Sequence, residues 1–225
     1  MHHLRLNTQY IIFIALLLCG QAKADQFLVQ NQHGMAVKNA VLEFSVARTP
    51  AHSRTVEANK NTLVMDQVNK LFKPEVLIIH KGDYVSFPNS DNIRHHVYSF
   101  SPVKPFELKL YSGKSKAPIQ FDHSGVSVLG CNIHDSMVGY IYIADSPYTV
   151  LTDENGIATL AKDIEYQSLN IWHQNLSKAV TSTQRINYDD LIQKPDNEAI
   201  FVINLVLDSP EPRNTFQSIF KKNAK

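Results

Sequence analysis

Three side chains that can bind a soft metal ion lie together in the short segment GCNIHDSMVGYIYI. Cys131, His134 and Met137 follow the spacing C-x-x-H-x-x-M. A thiolate, a neutral imidazole and a thioether suit a copper ion that cycles between two oxidation states, whereas zinc seldom binds methionine. A trigonal site of this kind needs a second imidazole. We therefore expect a distant histidine at a strand end that faces this loop.

The second imidazole has two adjacent candidates, His95 and His96, in the stretch GDYVSFPNSDNIRHHVYSF. Successive residues of a β-strand point to opposite faces of the sheet, so we expect only one of the two to face the loop. Alternation along the strand groups His96 with Tyr98 and Phe100, and by itself slightly favours His96.

The elements that must position these residues have the pattern of short strands. Apolar residues alternate with polar ones or form short runs, and Gly, Pro, Asn and Asp separate them, for example in 76–79, 84–87, 126–129 and 140–143. This pattern is typical of β-sandwiches. Only residues 188–193 have the composition for one or two helical turns. We predict an all-β protein.

The N-terminal segment has the features of a secretory signal peptide. Arg5 is followed by an apolar run at 10–18 and by the small-x-small sequence Ala22-Lys23-Ala24, which predicts a signal peptide of residues 1–24. The apolar run is too short to span a bilayer. We therefore expect a periplasmic protein without stable membrane insertion. A lipid anchor at Cys19 is disfavoured because Leu18, and not a small residue, precedes it.

Cysteine content narrows the role of the remaining thiol. The chain has two cysteines, and Cys19 leaves with the predicted signal peptide, so Cys131 has no partner for an internal disulfide. A single thiol in an oxidising compartment is buried, catalytic or bound to a metal.

Size and charge bear on the number of domains and on the class of binding partner. Removing residues 1–24 leaves 201 of 225 residues, and we expect two small domains rather than one large one. Without Arg5 and Lys23, 20 basic residues stand against 21 acidic ones, a formal charge of −1 with neutral histidines. A chain that is not basic is a poor candidate for nucleic-acid binding.

The segment around the metal motif resembles the cupredoxins, the blue-copper family that includes plastocyanin, azurin and amicyanin. The matching features are F-x-P, then G-D-x-V-x-F-x-N, a histidine six residues after Asn89, and C-x-x-H-x-x-M-x-G-x-I. The resemblance covers about residues 62–145, and the spacing of the ligand loop is that of amicyanin. It implies a cupredoxin Greek-key β-sandwich.

The resemblance implies that one copper ion is bound by His95, Cys131, His134 and Met137, with Met137 as the weak axial ligand. The spacing from Asn89 favours His95 over His96. The family usually has asparagine directly after the first histidine, where it braces the ligand loop, and this chain has His96 there. The surroundings of the site therefore differ from the family pattern.

The flanking segments resemble the two halves of a small transthyretin-like sandwich of the kind that regulates carboxypeptidases. G-x-x-V stands before the cupredoxin-like part, and T-D-x-x-G-x-A with a strand before Trp172 follows it. The expected organisation is a signal peptide (1–24), a flanking sandwich in two halves (25–58 and 146–208), an inserted cupredoxin domain (59–145) and a disordered tail (209–225).

These features favour one-electron transfer with redox partner proteins of unknown identity, and not an enzyme. The alternative is a periplasmic protein that stores or delivers copper, for which the same four ligands would serve. A third hypothesis makes Cys131 and His134 a nucleophile and its base, but no third group that would orient the base is evident, and Met137 is then unexplained.

Overall fold

The computed structural model describes residues 24–46, 61–113, 117–161, 164–176 and 180–208, and these form an almost purely β structure. The all-β prediction is confirmed. The helical turns predicted for 188–193 are a single 3-10 turn, Tyr188–Asp190, followed by a strand. The predicted signal peptide apart from Ala24, the boundary near residue 58 and the tail from residue 209 lie outside the described residues. Within the described part, no helix is long and apolar enough to cross a membrane.

The strands are numbered in chain order. They are β1 (Ala24–Asn31), β2 (Val41–Val46), β3 (Thr62–Val64), β4 (Asp66–Val68), β5 (Leu71–Lys73), β6 (Val76–His80), β7 (Tyr84–Ser86), β8 (His95–Ser99), β9 (Phe106–Tyr111), β10 (Ile119–Gln120), β11 (Gly125–Gly130), β12 (Val138–Ala144), β13 (Thr149–Leu151), β14 (Ile157–Ala161), β15 (Tyr166–Trp172), β16 (Gln184–Asn187), β17 (Ile192–Lys194) and β18 (Asn197–Leu205).

Strands from both ends of the described chain form one pair of sheets, here called the flanking sandwich. One sheet has the order β14-β1-β18-β17, and the other has the order β13-β2-β15-β16. Their facing apolar residues share one hydrophobic core, in which the rings of Phe27 and Phe44 lie 5.0 Å apart and those of Phe27 and Phe201 lie 5.4 Å apart. The domain boundaries and the transthyretin-like class of this sandwich stay predictions.

The strands between β2 and β13 form a second pair of layers, here called the inner sandwich. A five-stranded sheet, β6-β12-β11-β8-β9, faces a three-stranded sheet, β10-β7-β3, and the β4-β5 hairpin. Residues from these layers share a separate core, to which both Cys131 and Met137 belong. The candidate metal ligands are therefore packed into the inner sandwich and do not lie on a surface loop alone.

Strand β12 connects the two sandwiches because both of its faces are buried. Successive side chains of a strand alternate between faces, so Ile141 and Ile143 enter the inner core, while Tyr140 and Tyr142 enter a third cluster with Trp172 of β15. This explains why the strand is a continuous apolar run in the sequence. The Trp172 ring lies 5.4 Å from that of Tyr140 and 6.0 Å from that of Tyr142.

Polar contacts close the edge of the same interface. The carboxylate of Glu43 on β2 accepts hydrogen bonds from the Tyr142 hydroxyl (2.7 Å) and from the backbone amides of Asp145 and Ser146 (both 2.7 Å). Bonds to an ionised acceptor are stronger than neutral ones. Glu43 therefore links the segment that follows β12, at Asp145 and Ser146, to strand β2 of the flanking sandwich.

The turn at 153–156 requires a glycine at its last position. Gly156 has a φ of 73°, and a Cβ atom at this position would lie 2.5 Å from the carbonyl oxygen of Val29. Asp153 supports the turn, since its Oδ1 accepts the amides of Asn155 (2.9 Å) and Ile157 (2.8 Å). Only glycine meets both the conformation and the close approach.

We predict that Trp172→Ala lowers the free energy of unfolding by about 3–5 kcal/mol, because it empties a fully buried site between the two sandwiches. Urea unfolding followed by circular dichroism measures the change. Tryptophan fluorescence cannot be used, because Trp172 is the single tryptophan of the chain and the variant lacks it. Val206→Ala removes an exposed side chain and should change stability by no more than about 0.5 kcal/mol. Equal effects of the two substitutions would show that the interface contributes little to stability.

Candidate metal centre

The structure brings three of the four predicted ligands together. The metal-binding atoms of His95, Cys131 and His134 all lie within 4.8 Å of one another, and in the part of the chain that the structure describes no other group of three or more His, Cys, Asp or Glu side chains is this compact. His95 is fully buried, Cys131 is 3% exposed and His134 is partly exposed. Two buried donors and one partly exposed donor are the arrangement of a metal centre with limited access to solvent.

The distance between the first two donors suits a shared ion. Nδ1 of His95 lies 3.7 Å from Sγ of Cys131. A tetrahedral or trigonal ion typically lies about 2.0–2.1 Å from an imidazole nitrogen and about 2.3 Å from a thiolate, so an angle of about 120° separates the two donors by about 3.8 Å. The observed spacing matches that value, although it is too long for a strong direct hydrogen bond.

Sheet register places Cys131 beside the histidine pair. Strands β8 and β11 are antiparallel neighbours, with Gly130 opposite Tyr98. A Cβ atom on Gly130 would lie 2.5 Å from the Tyr98 ring, so glycine lets this ring pack directly before the cysteine. Cys131 therefore follows the end of β11 and lies near the beginning of the neighbouring strand β8.

Alternation along β8 decides which histidine turns inward. The pairing of β8 with β9 shifts between His95 and Val97, yet successive side chains still point to opposite faces. His95 is fully buried and points with Val97 into the inner sandwich, whereas His96 lies against Tyr98, with 5.7 Å between the ring centroids. His95 lies next to Cys131 and His96 does not, and the assignment of His95 as a copper ligand stays a prediction.

The loop that follows Cys131 is short and folded back. The amide of Met137 donates to the carbonyl of His134 at 2.9 Å, which closes a tight turn. Met137 is fully buried and belongs to the same hydrophobic cluster as Cys131. A soft thioether is thus held in the same core cluster as Cys131.

The surroundings of His134 favour the neutral imidazole, which is the form that binds a metal ion. Burial lowers the pKa of its imidazole, and the neighbouring His95 and Lys70 lower it further, which outweighs the opposite effect of Asp91. Its Nδ1 is buried and has no hydrogen-bond partner among the described residues. A buried nitrogen without a partner is costly, and a metal ion that accepts its lone pair would remove this cost. The residues present therefore fit a metal.

A carboxylate lies behind His95. Oδ2 of Asp91 is 2.7 Å from Nε2 of His95, on the side of the ring away from Cys131. Burial raises the pKa of the Asp91 carboxyl, but hydrogen bonds from the Lys70 amide, from His95 and from the Asn69 amide outweigh it and leave the pKa lowered. Asp91 is therefore a charged acceptor. Carboxylates in this position are frequent partners of metal-binding histidines.

His96 braces the ligand loop from the other side. Its Nδ1 lies 2.6 Å from Nδ2 of Asn132, the residue after Cys131. Its Nε2 lies 2.9 Å from Glu107 on β9, close enough for an ion pair when the ring is protonated, although no hydrogen bond forms. The expected departure from the family pattern thus has a structural counterpart, since His96 contacts the loop itself.

Asn89 organises the loop that precedes the histidines. Its Nδ2 donates to the carbonyls of Ile93 (2.9 Å) and Tyr111 (2.8 Å), and its Oδ1 accepts the amide of Asp91 (3.0 Å). These bonds hold the loop between Asn89 and the histidine pair in one conformation.

Sequence reasoning missed Asp91, Asn132 and Glu107. The first two stand beside residues that were singled out, in SDNIRHH and GCNIH, so proximity in the sequence was an available signal. Glu107 had no such signal, because it reaches the site only through the pairing of β8 with β9.

No protein-family model matches the chain, and no curated protein matches it. Among solved structures, it is similar to a Cu-containing nitrite reductase from Thermus scotoductus SA-01 (26% identity, TM-score 0.35), of which the match spans only 22%, over 37% of this chain. It is also similar to a purple cupredoxin from Nitrosopumilus maritimus, with 19% identity and a TM-score of 0.33, and the match covers 37% of this chain and 99% of that one. A third similar structure is an oxidised methionine-to-leucine mutant of amicyanin, with 16% identity and a TM-score of 0.33. That match covers 47% of this chain and 98% of amicyanin.

These structural neighbours are copper proteins of the cupredoxin kind, and each covers less than half of this chain.

The two adjacent histidines give a matched pair of variants. We predict that His95→Ala abolishes the intense visible absorption of the copper-loaded protein, because its nitrogen faces Cys131 at 3.7 Å. His96→Ala should keep the absorption and bind copper more weakly, since its ring braces Asn132. Visible and electron-spin spectra of both variants measure the difference. The reverse pattern would mean that His96 is the ligand.

Proposed function

We propose that this chain is an exported type 1 copper protein that carries single electrons between partner proteins. The observation that carries the proposal is the compact trio of His95, Cys131 and His134, whose donor atoms lie within 4.8 Å of one another, with the buried Met137 in the same core cluster as Cys131. Two imidazoles and one thiolate with a weak thioether form the donor set of blue-copper electron-transfer sites. The predicted signal peptide supports export to the periplasm.

A copper ion held by these residues would supply the redox chemistry by alternating between Cu(I) and Cu(II). The protein contributes ligands that move little. His95 is fully buried and hydrogen-bonded to Asp91, Cys131 leaves the end of β11, and Met137 is packed in the core. Ligands held in this way need little rearrangement between the two oxidation states, which favours fast electron exchange.

The trio also has an orientation toward the surface. His134 is partly exposed, whereas the side chains of His95 and Cys131 are buried. An electron entering or leaving by the shortest protein path would pass the His134 side of the site. Cys131 is excluded from bulk water, so the thiol is protected from the oxidants of the exported compartment.

Burial also bears on the alternatives. A nucleophilic cysteine must reach its substrate, yet Cys131 is 3% exposed and belongs to the hydrophobic core of the inner sandwich. A delivery protein must release its ion to an acceptor, and a fully buried His95 hinders such a transfer. Both observations favour an electron carrier over an enzyme or a copper-delivery protein.

The test is to add Cu(II) to the purified metal-free protein and record absorption, electron-spin and voltammetric data. We expect one equivalent of copper, an intense thiolate-to-copper band and a reversible one-electron wave. Cys131→Ser should lose the band and keep the fold, since Ser is nearly isosteric and only the thiolate gives this transition. A colourless protein that binds zinc equally well would contradict the proposal, and a coloured protein without a reversible wave would indicate storage.

Met137→Leu is predicted to keep the blue absorption and to raise the reduction potential. The thioether is a weak donor that favours Cu(II), so its removal favours Cu(I). The matched control is Met65→Leu, because Met65 is equally buried in the same core but lies outside the ligand loop. Voltammetry of the two variants measures the effect. Equal potentials in both would show that Met137 is only a packing residue.

A further inference from the structure

Asp91, whose carboxylate contacts His95, is not one of the four predicted ligands. Oδ2 of Asp91 lies 2.7 Å from Nε2 of His95, and the opposite ring nitrogen, Nδ1, faces Cys131 at 3.7 Å. The imidazole is fully buried and the Asp91 side chain is 11% exposed, so little water competes for this bond. One ring therefore links a charged acceptor to the metal-binding thiol.

The carboxylate itself is held by a hairpin from another part of the chain. Asn69 and Lys70 form the two-residue turn between β4 and β5, with φ values of 56° and 61°. Positive φ at both central residues is the mark of a type I′ hairpin turn. Their amides donate to Asp91, from Asn69 to Oδ1 at 2.6 Å and from Lys70 to Oδ2 at 2.9 Å.

These contacts determine the orientation of His95. A neutral imidazole carries one N–H, and a carboxylate can only accept, so the hydrogen lies on Nε2 and the lone pair of Nδ1 is directed at Cys131. A carboxylate partner also makes the ring a stronger donor. A stronger donor stabilises Cu(II) more than Cu(I).

We propose, on the basis of the copper function above, that Asp91 is the positioning residue of the metal centre, which sets the tautomer of His95 and lowers the reduction potential. The rival explanation is purely structural, with Asp91 acting only as a clamp on the β4-β5 turn. The two explanations differ in what a neutral side chain of the same size would do.

Asp91→Asn and Asp91→Ala separate charge from orientation. Asn can still accept the His95 hydrogen bond but carries no charge, so we expect it to keep the blue band, raise the potential and weaken Cu(II) binding. Asp91→Ala also loses the bond, and we expect about 10- to 100-fold weaker Cu(II) binding with a higher potential. Voltammetry and competitive copper titration measure both.

A control with the same structural task is available in the flanking sandwich. Asp153 also accepts two turn amides, from Asn155 and Ile157, but belongs to a turn of the flanking sandwich. Asp153→Asn should change thermal stability and leave the reduction potential unchanged. If the Asp91 variants, like Asp153→Asn, change stability and leave the reduction potential unchanged, the proposal is overturned. Asp91 would then only hold the β4-β5 turn.

A measurement on the metal-free protein separates this proposal from the copper function. Nitrogen-15 spectra of the histidine rings report which nitrogen carries the hydrogen, with His95 identified through the His95→Ala variant. We expect the Nε2–H form in the wild type and its loss in Asp91→Ala. An Nδ1–H form in the wild type would overturn the role of Asp91 even if copper binds, whereas absence of the blue band alone would overturn only the copper function.

Discussion

Both faces of strand β12 are buried, and each face belongs to a different hydrophobic cluster. Ile141 and Ile143 complete the inner core beside the candidate metal ligands, while Tyr140 and Tyr142 pack on Trp172 of the flanking sandwich. The strand begins at Val138, directly after Met137. A shift along β12 would therefore disturb the interface and the loop of the candidate ligands together, so the flanking sandwich restrains the candidate metal centre although no residue of that centre belongs to it.

Donor groups buried inside an apolar core are costly unless each has a partner. The outer nitrogen of His95 has Asp91, and His96 next to it has Asn132. Nδ1 of His134 has none among the described residues, and a ring nitrogen of His134 lies within 4.8 Å of the donor atoms of His95 and Cys131. Asp91 and Asn132 thus hold His95 and His96 from outside the site, while His134 keeps a ring nitrogen without a protein partner among the described residues, which suits a bound metal ion.

The nested order of strands has a simple geometric basis. The chain enters the inner sandwich after β2 and leaves it before β13, and these two strands are antiparallel neighbours, with Thr149 opposite Glu43. The two ends of the inner segment therefore lie close together in space. β1 pairs in parallel with β18, from Gln26 opposite Ile200 to Asn31 opposite Leu205, so the flanking sandwich is closed by strands far apart in sequence. Long-range pairing of this kind is compatible with an insertion because the inner segment replaces only a loop.

The sequence by itself determined the all-β class, the positions of most strands near the site and the grouping of Cys131, His134 and Met137. These features are local: alternation reports a strand, and a spacing of three residues brings side chains together in a tight turn whatever surrounds it. Only the tertiary structure decided which of His95 and His96 lies beside the thiol, since His95 is 36 residues from Cys131 and alternation alone does not say which face of β8 turns toward the ligand loop. The contact of the β4-β5 turn with Asp91 and the packing of Trp172 between the sandwiches were likewise beyond the sequence, because each contact joins segments that are far apart along the chain.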